Sequence, residues 1–257
     1  MNKSEAVAKK YSFTAVEIEI NHDCNRSCAY CPNSILERPN QGRMPEPLFV
    51  RIMEQLQAIG YAGRVSYHFY NEPLISPDLD RFVQLTKSYL PGSWIEIFTN
   101  GMLLTEVRVH ELLELGVDKF TVTQHHTYQG DTRYAFAEVH RSLAPETKAK
   151  IKFQNYRNLV FTNRGGLLKN LGYCKKPTPL VLPCLIPSMV LVVTVNGNVV
   201  PCYEDYLEQN QMGNVTDQSL PEIWDSPKYR AFRESLRKGA RAAFPVCRDC
   251  NCVMIIS

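Results

Sequence analysis

No stretch of this chain stays apolar long enough to cross a bilayer, so a membrane-spanning helix is not expected. The first residues (MNKSEAVAKKYSF) carry charge but no apolar core of signal-peptide length, which argues against secretion. Net charge is only +3, from 29 basic and 26 acidic residues spread along the chain, too little to suggest nucleic acid as a partner. Short repeats and low-complexity tracts are also absent. What remains is a chain of 257 residues, 44% hydrophobic, able to bury a sizeable core as one large domain or as a domain with a small appendage. Nine cysteines without a secretion signal point to metal or redox chemistry in a reducing compartment, and the cytoplasm is the expected location.

The first half alternates strand and helix patterns, as a parallel α/β fold requires. Candidate strands lie at Val16–Ile20, Val65–Phe69, Trp94–Phe98, Lys119–Thr123 and Ile151–Asn155. Between them, Glu46–Ile59, Leu79–Tyr89 and Glu106–Leu115 read as helices, the first with Pro47 in its opening turn and Gly60 beyond its end. Five parallel strands suit a partial (β/α) TIM-like barrel over residues 1–170, open on one side, with chemistry at the strand C-termini. The second half, 171–257, changes character. Leu191–Val195, Asn196-Gly197 and Asn198–Val200 read as a β-hairpin with a type I′ turn, opening a small antiparallel unit, and Pro221–Gly239 reads as one helix carrying Trp224, Tyr229, Phe232 and Leu236.

The most telling pattern is Cys24, Cys28 and Cys31 in the spacing Cys-x-x-x-Cys-x-x-Cys (CNRSCAYC), just after the first strand. Three thiolates can hold three irons of a [4Fe-4S] cube and leave the fourth open to a small molecule. Four further cysteines, Cys184, Cys202, Cys247 and Cys250, surround the hairpin and helix, the last two as Cys-x-x-Cys. Four thiolates saturate either a cluster or a zinc ion, so this second site is expected to be closed to outside ligands. Cys174 and Cys252 are left over; free cysteine is among the most buried residue types, and both have a plain reading as buried thiols, with Cys252 also a spare ligand.

The residues flanking the first motif (Ile20, Asn21, Asn25, Tyr30, Pro32, Asn33) resemble the radical S-adenosylmethionine (SAM) superfamily. That resemblance implies that SAM binds the open iron and is split, after one-electron reduction, into methionine and a 5′-deoxyadenosyl radical. It also implies a SAM site. Tyr70-Asn71-Glu72-Pro73 is similar to the family's Gly-Gly-Glu-Pro segment, with Tyr70 and Asn71 in place of the glycines and Glu72 retained. Phe98-Thr99-Asn100-Gly101 resembles the segment beside the SAM ribose, and Val122-Thr123-Gln124-His125 stands where later strands contact SAM, which nominates Asn100 and Gln124; ordinary turn chemistry explains both equally well. Met212-Gly213-Asn214-Val215, Ile223-Trp224, Phe232-Arg233 and Cys247-Arg248-Asp249-Cys250 resemble the C-terminal domain of the SPASM and shorter twitch enzymes. By this likeness the second site holds one auxiliary [4Fe-4S] cluster rather than zinc.

Within that group, CNRSCAYCPNS, AGRVSYHFYNEPL, FTNG, KFTVTQH, NRGG, VTVNGNVVPCYEDY and MGNV resemble, in order, twitch dehydrogenases of antibiotic-type biosynthesis that oxidise a secondary alcohol of an aminocyclitol to a ketone. The likeness implies that Arg164 meets the reacting hydroxyl and that Glu17 and Glu204 hold the polar ring, with Tyr70 a further contact. A guanidinium favours the alkoxide by charge and hydrogen bonding, and carboxylates complement an ammonium. The bland alternatives are a salt bridge for Glu17 and a turn cap beside Gly165-Gly166 for Arg164. Related twitch enzymes are epimerases in which a cysteine returns a hydrogen atom to the substrate radical, so the rival reading is an epimerase using Cys174 or Cys252. A flavodoxin or ferredoxin is the expected electron donor. A non-catalytic iron-sulfur carrier is disfavoured by the open three-cysteine site, and a peptide substrate by the want of a recognition domain ahead of the barrel.

Overall fold

A computed structural model of the chain describes residues 11–38, 40–125, 135–168 and 180–253. Eight strands form one sheet: β1 (Ala15–Ile18), β2 (Arg64–Ser66), β3 (Trp94–Thr99), β4 (Lys119–Gln124), β5 (Ile151–Asn155), β6 (Val190–Val193), β7 (Asn198–Val200) and β8 (Gly213–Asn214), in the order β5-β4-β3-β2-β1-β6-β7-β8. Pairing is parallel from β5 through β1 to β6 and antiparallel from β6 to β8. Among the described residues the sheet does not close, β5 and β8 standing at its two ends, as in a partial barrel.

Period-two alternation sorts the strand residues onto two faces. Val16, Ile18, Val65, Ile95, Ile97, Phe120 and Val122 are essentially solvent-free and meet helices α1 (Glu46–Ala58), α2 (Leu79–Tyr89) and α3 (Glu106–Leu115) in one apolar core. In α1, Phe49, Ile52, Met53 and Leu56 recur at helical spacing and are fully buried, each side chain stabilising the fold by about 1.5–3 kcal/mol on burial. Phe49 stacks on Phe82 of α2 with ring centroids 4.1 Å apart. The opposite, polar face turns into the barrel.

Several expected boundaries shift for local reasons. The strand expected over Val65–Phe69 ends at Ser66, because the Asn71 side chain takes over the ladder: its Oδ1 accepts the Phe69 N–H at 2.9 Å and its Nδ2 donates to the Tyr67 carbonyl at 3.1 Å. Helices α4 (Ala135–Ser142) and α5 (Pro145–Lys148) precede β5, and the short α6 (Ile186–Met189) leads into β6.

The second half departs further from expectation. The expected hairpin is present, but β6 runs parallel to β1, with Glu17 opposite Val192, so it extends the barrel sheet instead of opening a separate unit. Its turn is not type I′: Gly197 alone takes a positive φ (82°), while the Gly197 N–H reaches the Thr194 carbonyl at 2.8 Å, the pattern of a three-residue loop closed by a left-handed glycine. The single helix expected over Pro221–Gly239 is two, α7 (Leu220–Trp224) and α8 (Pro227–Arg237). Pro227 has no N–H to continue α7, and Ser226 instead caps α8 by accepting the Tyr229 N–H at 3.2 Å. Arg233 of α8 lies over Trp224, 4.1 Å from the ring centroid, and Trp224 meets Phe13 edge-on at 4.8 Å, which ties this layer to the lead-in of β1. Helix α9 (Pro245–Asp249) carries Cys247. The expected boundary at residue 170, and Cys174, lie outside the described residues.

Candidate active site

Cys24, Cys28 and Cys31 follow β1 at its C-terminal end and open onto one cavity of ≈ 620 Å³. Asparagines hold this loop in place. Asn21 Nδ2 donates to the Asp23 and Glu72 carbonyls at 3.2 and 3.3 Å, Asn33 Nδ2 donates to the Tyr70 carbonyl at 2.8 Å, and Asn25 Oδ1 accepts from Asn100 Nδ2 at 2.7 Å. Burial pushes the Cys24 thiol up to about 11 and raises that of Cys31, so both stay protonated until an electrophilic metal takes them as thiolates.

The strand ends supply the rest of the upper cavity. Glu72 is 2% exposed, and its carboxylate accepts from Thr99 Oγ1 at 2.8 Å and from the Asn100 and Leu74 N–H groups at 2.7 and 3.2 Å. Burial raises its pKa against these donors. Tyr70, Asn71, Glu72 and Asn100 all line the cavity, as does Tyr30, whose hydroxyl pairs with His125 Nδ1 at 2.6 Å. Burial, followed by the charge of Arg26, lowers His125 to about 4, so the ring is neutral near pH 7 and accepts the Tyr30 proton at Nδ1. Gln124 is not part of the lining: alternation along β4 brings Thr121, Thr123 and His125 to the cavity and turns Gln124 to the other face.

Glu17 lines the cavity deep within the sheet, already paired. Arg64 Nη2 donates to its Oε1 at 2.5 Å, Tyr203 Oη to the same oxygen at 3.3 Å, and His68 Nδ1 meets Oε2 at 3.1 Å. Burial raises the Glu17 pKa, but the hydrogen bond and charge of His68 and the charge of Arg64 outweigh it and leave it lowered. The network continues: Arg64 Nη1 donates to Glu96 Oε2 at 3.1 Å, and Glu96 Oε1 accepts from Thr121 Oγ1 at 2.7 Å and pairs with Lys119 at 3.4 Å. Sequence reading assigned no role to Arg64, His68, Glu96, Lys119, Lys152, Gln154 or Tyr203. The available signal was polar residues two apart in successive strands, Arg64-Ser66-His68, Lys119-Thr121-Thr123 and Lys152-Gln154, which a strand with a filled polar interior displays.

Arg164 reaches the same cavity from a turn anchored by the C-terminal half. It is one of two non-glycine residues with positive φ among the described residues (49°), a conformation that costs an L-residue about 1–2 kcal/mol. Glu204 fastens the turn. Its carboxylate accepts Thr162 Oγ1 at 2.9 and 3.1 Å and the Gly165 N–H at 3.0 Å, and it stands 3.7 Å from Arg164 Nη1. A Cβ at Gly165 would fall 2.7 Å from the Glu204 carbonyl oxygen, so glycine is required for this approach. The guanidinium lies over the Tyr70 ring at 5.6 Å, and Tyr70 Oη donates to the Tyr203 carbonyl at 2.6 Å. Although burial lowers its pKa, the charges of Tyr70 and Glu204 raise it further, so Arg164 stays cationic.

A second, smaller cavity is lined by Cys184, Cys202, Cys247, Cys250 and Cys252, with Glu204 and Arg241. Burial pushes the Cys247 thiol up to about 12 and raises those of Cys184 and Cys202. No three His, Cys, Asp or Glu side chains among the described residues converge closely enough for one metal ion, whereas the corners of a [4Fe-4S] cube stand apart and need no such convergence. Cys252 lines this cavity and not the first.

Two family models match the chain: the radical SAM superfamily over residues 18–153 and the SPASM iron-sulfur cluster-binding domain over residues 184–251. The chain belongs to the radical SAM superfamily. The cofactors of this radical SAM protein are therefore SAM with its [4Fe-4S] cluster, and an auxiliary iron-sulfur cluster in place of the zinc alternative. Residues 18–153 include the three-cysteine loop and Glu72, and residues 184–251 include Cys184, Cys202, Cys247 and Cys250 but not Cys252. The chain is 42% identical over 243 residues to S-adenosyl-L-methionine-dependent 2-deoxy-scyllo-inosamine dehydrogenase of Niallia circulans, covering 95% of this chain and 94% of that one. It is 24% identical to the tungsten-containing aldehyde ferredoxin oxidoreductase cofactor-modifying protein of Pyrococcus furiosus, covering 91% and 86%. The crystal structure of BtrN with AdoMet and 2-DOIA superposes with a TM-score of 0.88 at 41% identity, covering 95% of each chain. BtrN in an open conformation superposes with a TM-score of 0.74 at 36% identity, covering 96% and 95%. No described helix is long and apolar enough to cross a membrane.

Proposed function

We propose that the protein is a radical SAM dehydrogenase that oxidises a secondary alcohol of an aminocyclitol or aminosugar to a ketone. The observation that carries the reading is the meeting of three cysteine thiols and the cationic Arg164 in one cavity, in a chain alike over almost its whole length to an aminocyclitol dehydrogenase. When bound, SAM and its cluster supply the radical that removes a hydrogen atom from the carbinol carbon. The chain's own residues do the rest. Arg164 is the charged donor beside the carbinol oxygen and favours its loss of a proton, because a fixed guanidinium stabilises an oxyanion in an enclosed site. Tyr70 beneath it and Glu204 behind it hold the guanidinium in place. Glu17 offers a carboxylate for the substrate's ammonium, and Glu72, Asn71, Asn100 and Tyr30 form the SAM wall. Cys24, Cys28 and Cys31 would hold the SAM cluster, and Cys184, Cys202, Cys247 and Cys250 the auxiliary one, which would supply an acceptor for the second electron. A flavodoxin or ferredoxin supplies the initiating electron, and the reducing cytoplasm suits both clusters.

Cys252 lines the second cavity and not the one that Arg164 and the three-cysteine loop line, which speaks against Cys252 as the hydrogen donor of an epimerase; Cys174, the other candidate, lies outside the described residues. Anaerobic incubation with SAM, a reductant and 2-deoxy-scyllo-inosamine in deuterated water, followed by mass spectrometry, tests the reading. Loss of two hydrogens with formation of 5′-deoxyadenosine is expected; a product of unchanged oxidation level carrying solvent deuterium on carbon would replace the dehydrogenase by an epimerase.

A further inference from the structure

Oxidising an alcohol to a ketone removes a hydrogen atom from carbon, a proton from oxygen and one further electron. Arg164 stabilises the oxyanion but cannot take the proton, because a guanidinium has no lone pair to offer. Another group of the cavity has to accept it, and most are committed. Glu72 already accepts three hydrogen bonds, and Glu96 is held by Arg64, Thr121 and Lys119. The pKa of Glu17 is lowered, which makes it a weak proton acceptor, and its carboxylate is solvent-free. The Tyr70 and Tyr203 hydroxyls are donors, to the Tyr203 carbonyl and to Glu17. His125 receives the Tyr30 hydroxyl at Nδ1, which leaves its own proton on Nε2.

His68 is placed differently. Its Nδ1 meets Glu17 Oε2 at 3.1 Å, and an ionised carboxylate only accepts, so in the neutral ring the proton is on Nδ1 and the lone pair on Nε2. Among the described residues Nε2 has no hydrogen-bond partner, and 29% of the side chain is exposed on the cavity that Arg164 also lines. Phe98 stacks on the imidazole with ring centroids 4.8 Å apart and 27° between the planes, and the Tyr203 ring stands 6.2 Å away. Glu17 therefore fixes the edge of the ring and Phe98 its face.

We propose that His68 is the general base of the oxidation, its Nε2 accepting the carbinol O–H proton while Arg164 stabilises the oxygen and Glu17 the imidazolium that forms. A histidine oriented at one nitrogen by a carboxylate and free at the other is the arrangement in which imidazole takes up protons in enclosed sites. The step balances. The carbinol carbon gives up a hydrogen atom, the oxygen gives its proton to Nε2, and the remaining electron leaves the substrate for the auxiliary iron-sulfur cluster of the SPASM domain, so that the ketone has lost two hydrogens. The inference rests on the dehydrogenase reading above.

The test compares the wild-type chain with His68→Asn, both full-length and reconstituted. The asparagine amide can still donate to Glu17 from the place of Nδ1, but offers no lone pair at the place of Nε2. Ketone formed per 5′-deoxyadenosine is expected to fall about 100-fold, the scale of removing a general base, while calorimetry shows 2-deoxy-scyllo-inosamine bound at the wild-type affinity. An unchanged ratio would overturn the proposal, and so would loss of substrate binding, which would make His68 a residue that only holds the ring. A second measurement needs no turnover: NMR of the ¹⁵N-histidine-labelled wild-type chain, with the His68 signals assigned by their absence from His68→Asn, is expected to show the proton of the neutral ring on Nδ1. A proton on Nε2 would overturn the proposal. Failure of the wild-type chain to form any ketone would instead defeat the dehydrogenase reading and this inference with it, an outcome distinct from a wild-type enzyme that makes ketone and a His68→Asn variant that makes it equally well.

Discussion

The left-handed backbone at Arg164 allows structure and chemistry to be separated at one position. Arg164→Ala and Arg164→Gly both remove the guanidinium, the ion pair with Glu204 and the contact with Tyr70, but only glycine occupies φ near 49° without a Cβ penalty. The penalty is about 1–2 kcal/mol, and the greater freedom of glycine in the unfolded chain returns roughly 0.4–1 kcal/mol of it. The glycine variant is therefore expected to be more stable than the alanine variant by about 1 kcal/mol, roughly 2 °C in Tm for a chain of this size. Anaerobic thermal unfolding of the two reconstituted variants side by side reads the difference. Both variants are expected to lose ketone formation by about 100-fold, the scale of removing one preorganised donor to an oxyanion, while 5′-deoxyadenosine formation falls much less. Equal stability of the two variants would refute the strain argument. Parallel loss of ketone and 5′-deoxyadenosine would remove Arg164 from the oxidation step.

Glu72→Gln replaces an acceptor of three hydrogen bonds with an amide that fits at most part of that set, and is expected to cost about 1–3 kcal/mol and to weaken SAM binding, measured by calorimetry on the reconstituted chain. His125 has a folded-state pKa lowered to about 4, so the unfolded chain binds its proton first as pH falls. The stability that this neutral ring contributes is present above about pH 6.5 and is lost towards pH 4; His125→Gln should flatten that part of the Tm-against-pH curve, and an unchanged slope would contradict the burial argument. Gly165→Ala puts a Cβ 2.6 Å from Val246 Cγ1 and 2.7 Å from the Glu204 carbonyl, and should impair ketone formation through Arg164 even where both clusters load fully, as iron analysis and turnover together would show. Ser226→Ala removes the cap of α8 and should lower stability by about 1 kcal/mol, read from the Tm, with the potentials of both clusters unchanged.

The cysteine spacing, the strand-helix alternation and the Tyr70–Pro73 segment were legible from the chain because each depends on neighbours within a few residues. The three-cysteine loop, the long helices α1 to α3 and the five barrel strands all lie where local pattern puts them, to within a few residues. Pairing was not legible in the same way. That β6 lies parallel to β1, that Gly197 closes a three-residue loop, and that Pro227 divides the C-terminal helix follow from contacts with distant parts of the chain or from a choice between two allowed local structures. Gln124 had the right chemistry but the wrong parity for the cavity, and parity is set by register.

The sequence by itself determined the kinds of groups available: thiols at cluster spacing, a glutamate before proline, an arginine before two glycines. Only the tertiary structure decided what they meet. It brings Arg164 from one half and Glu204 from the other to a single turn, pairs Glu17 with Arg64, His68 and Tyr203 before any substrate arrives, and places Cys252 against Cys250 instead of in the substrate cavity. The physical reason is that charge and hydrogen bonding act over a few ångströms in space. Gly165 and Glu204, 39 positions apart, and Glu17 and Tyr203, 186 apart, come within that range only after the sheet has set their register and the core has fixed the layers around it.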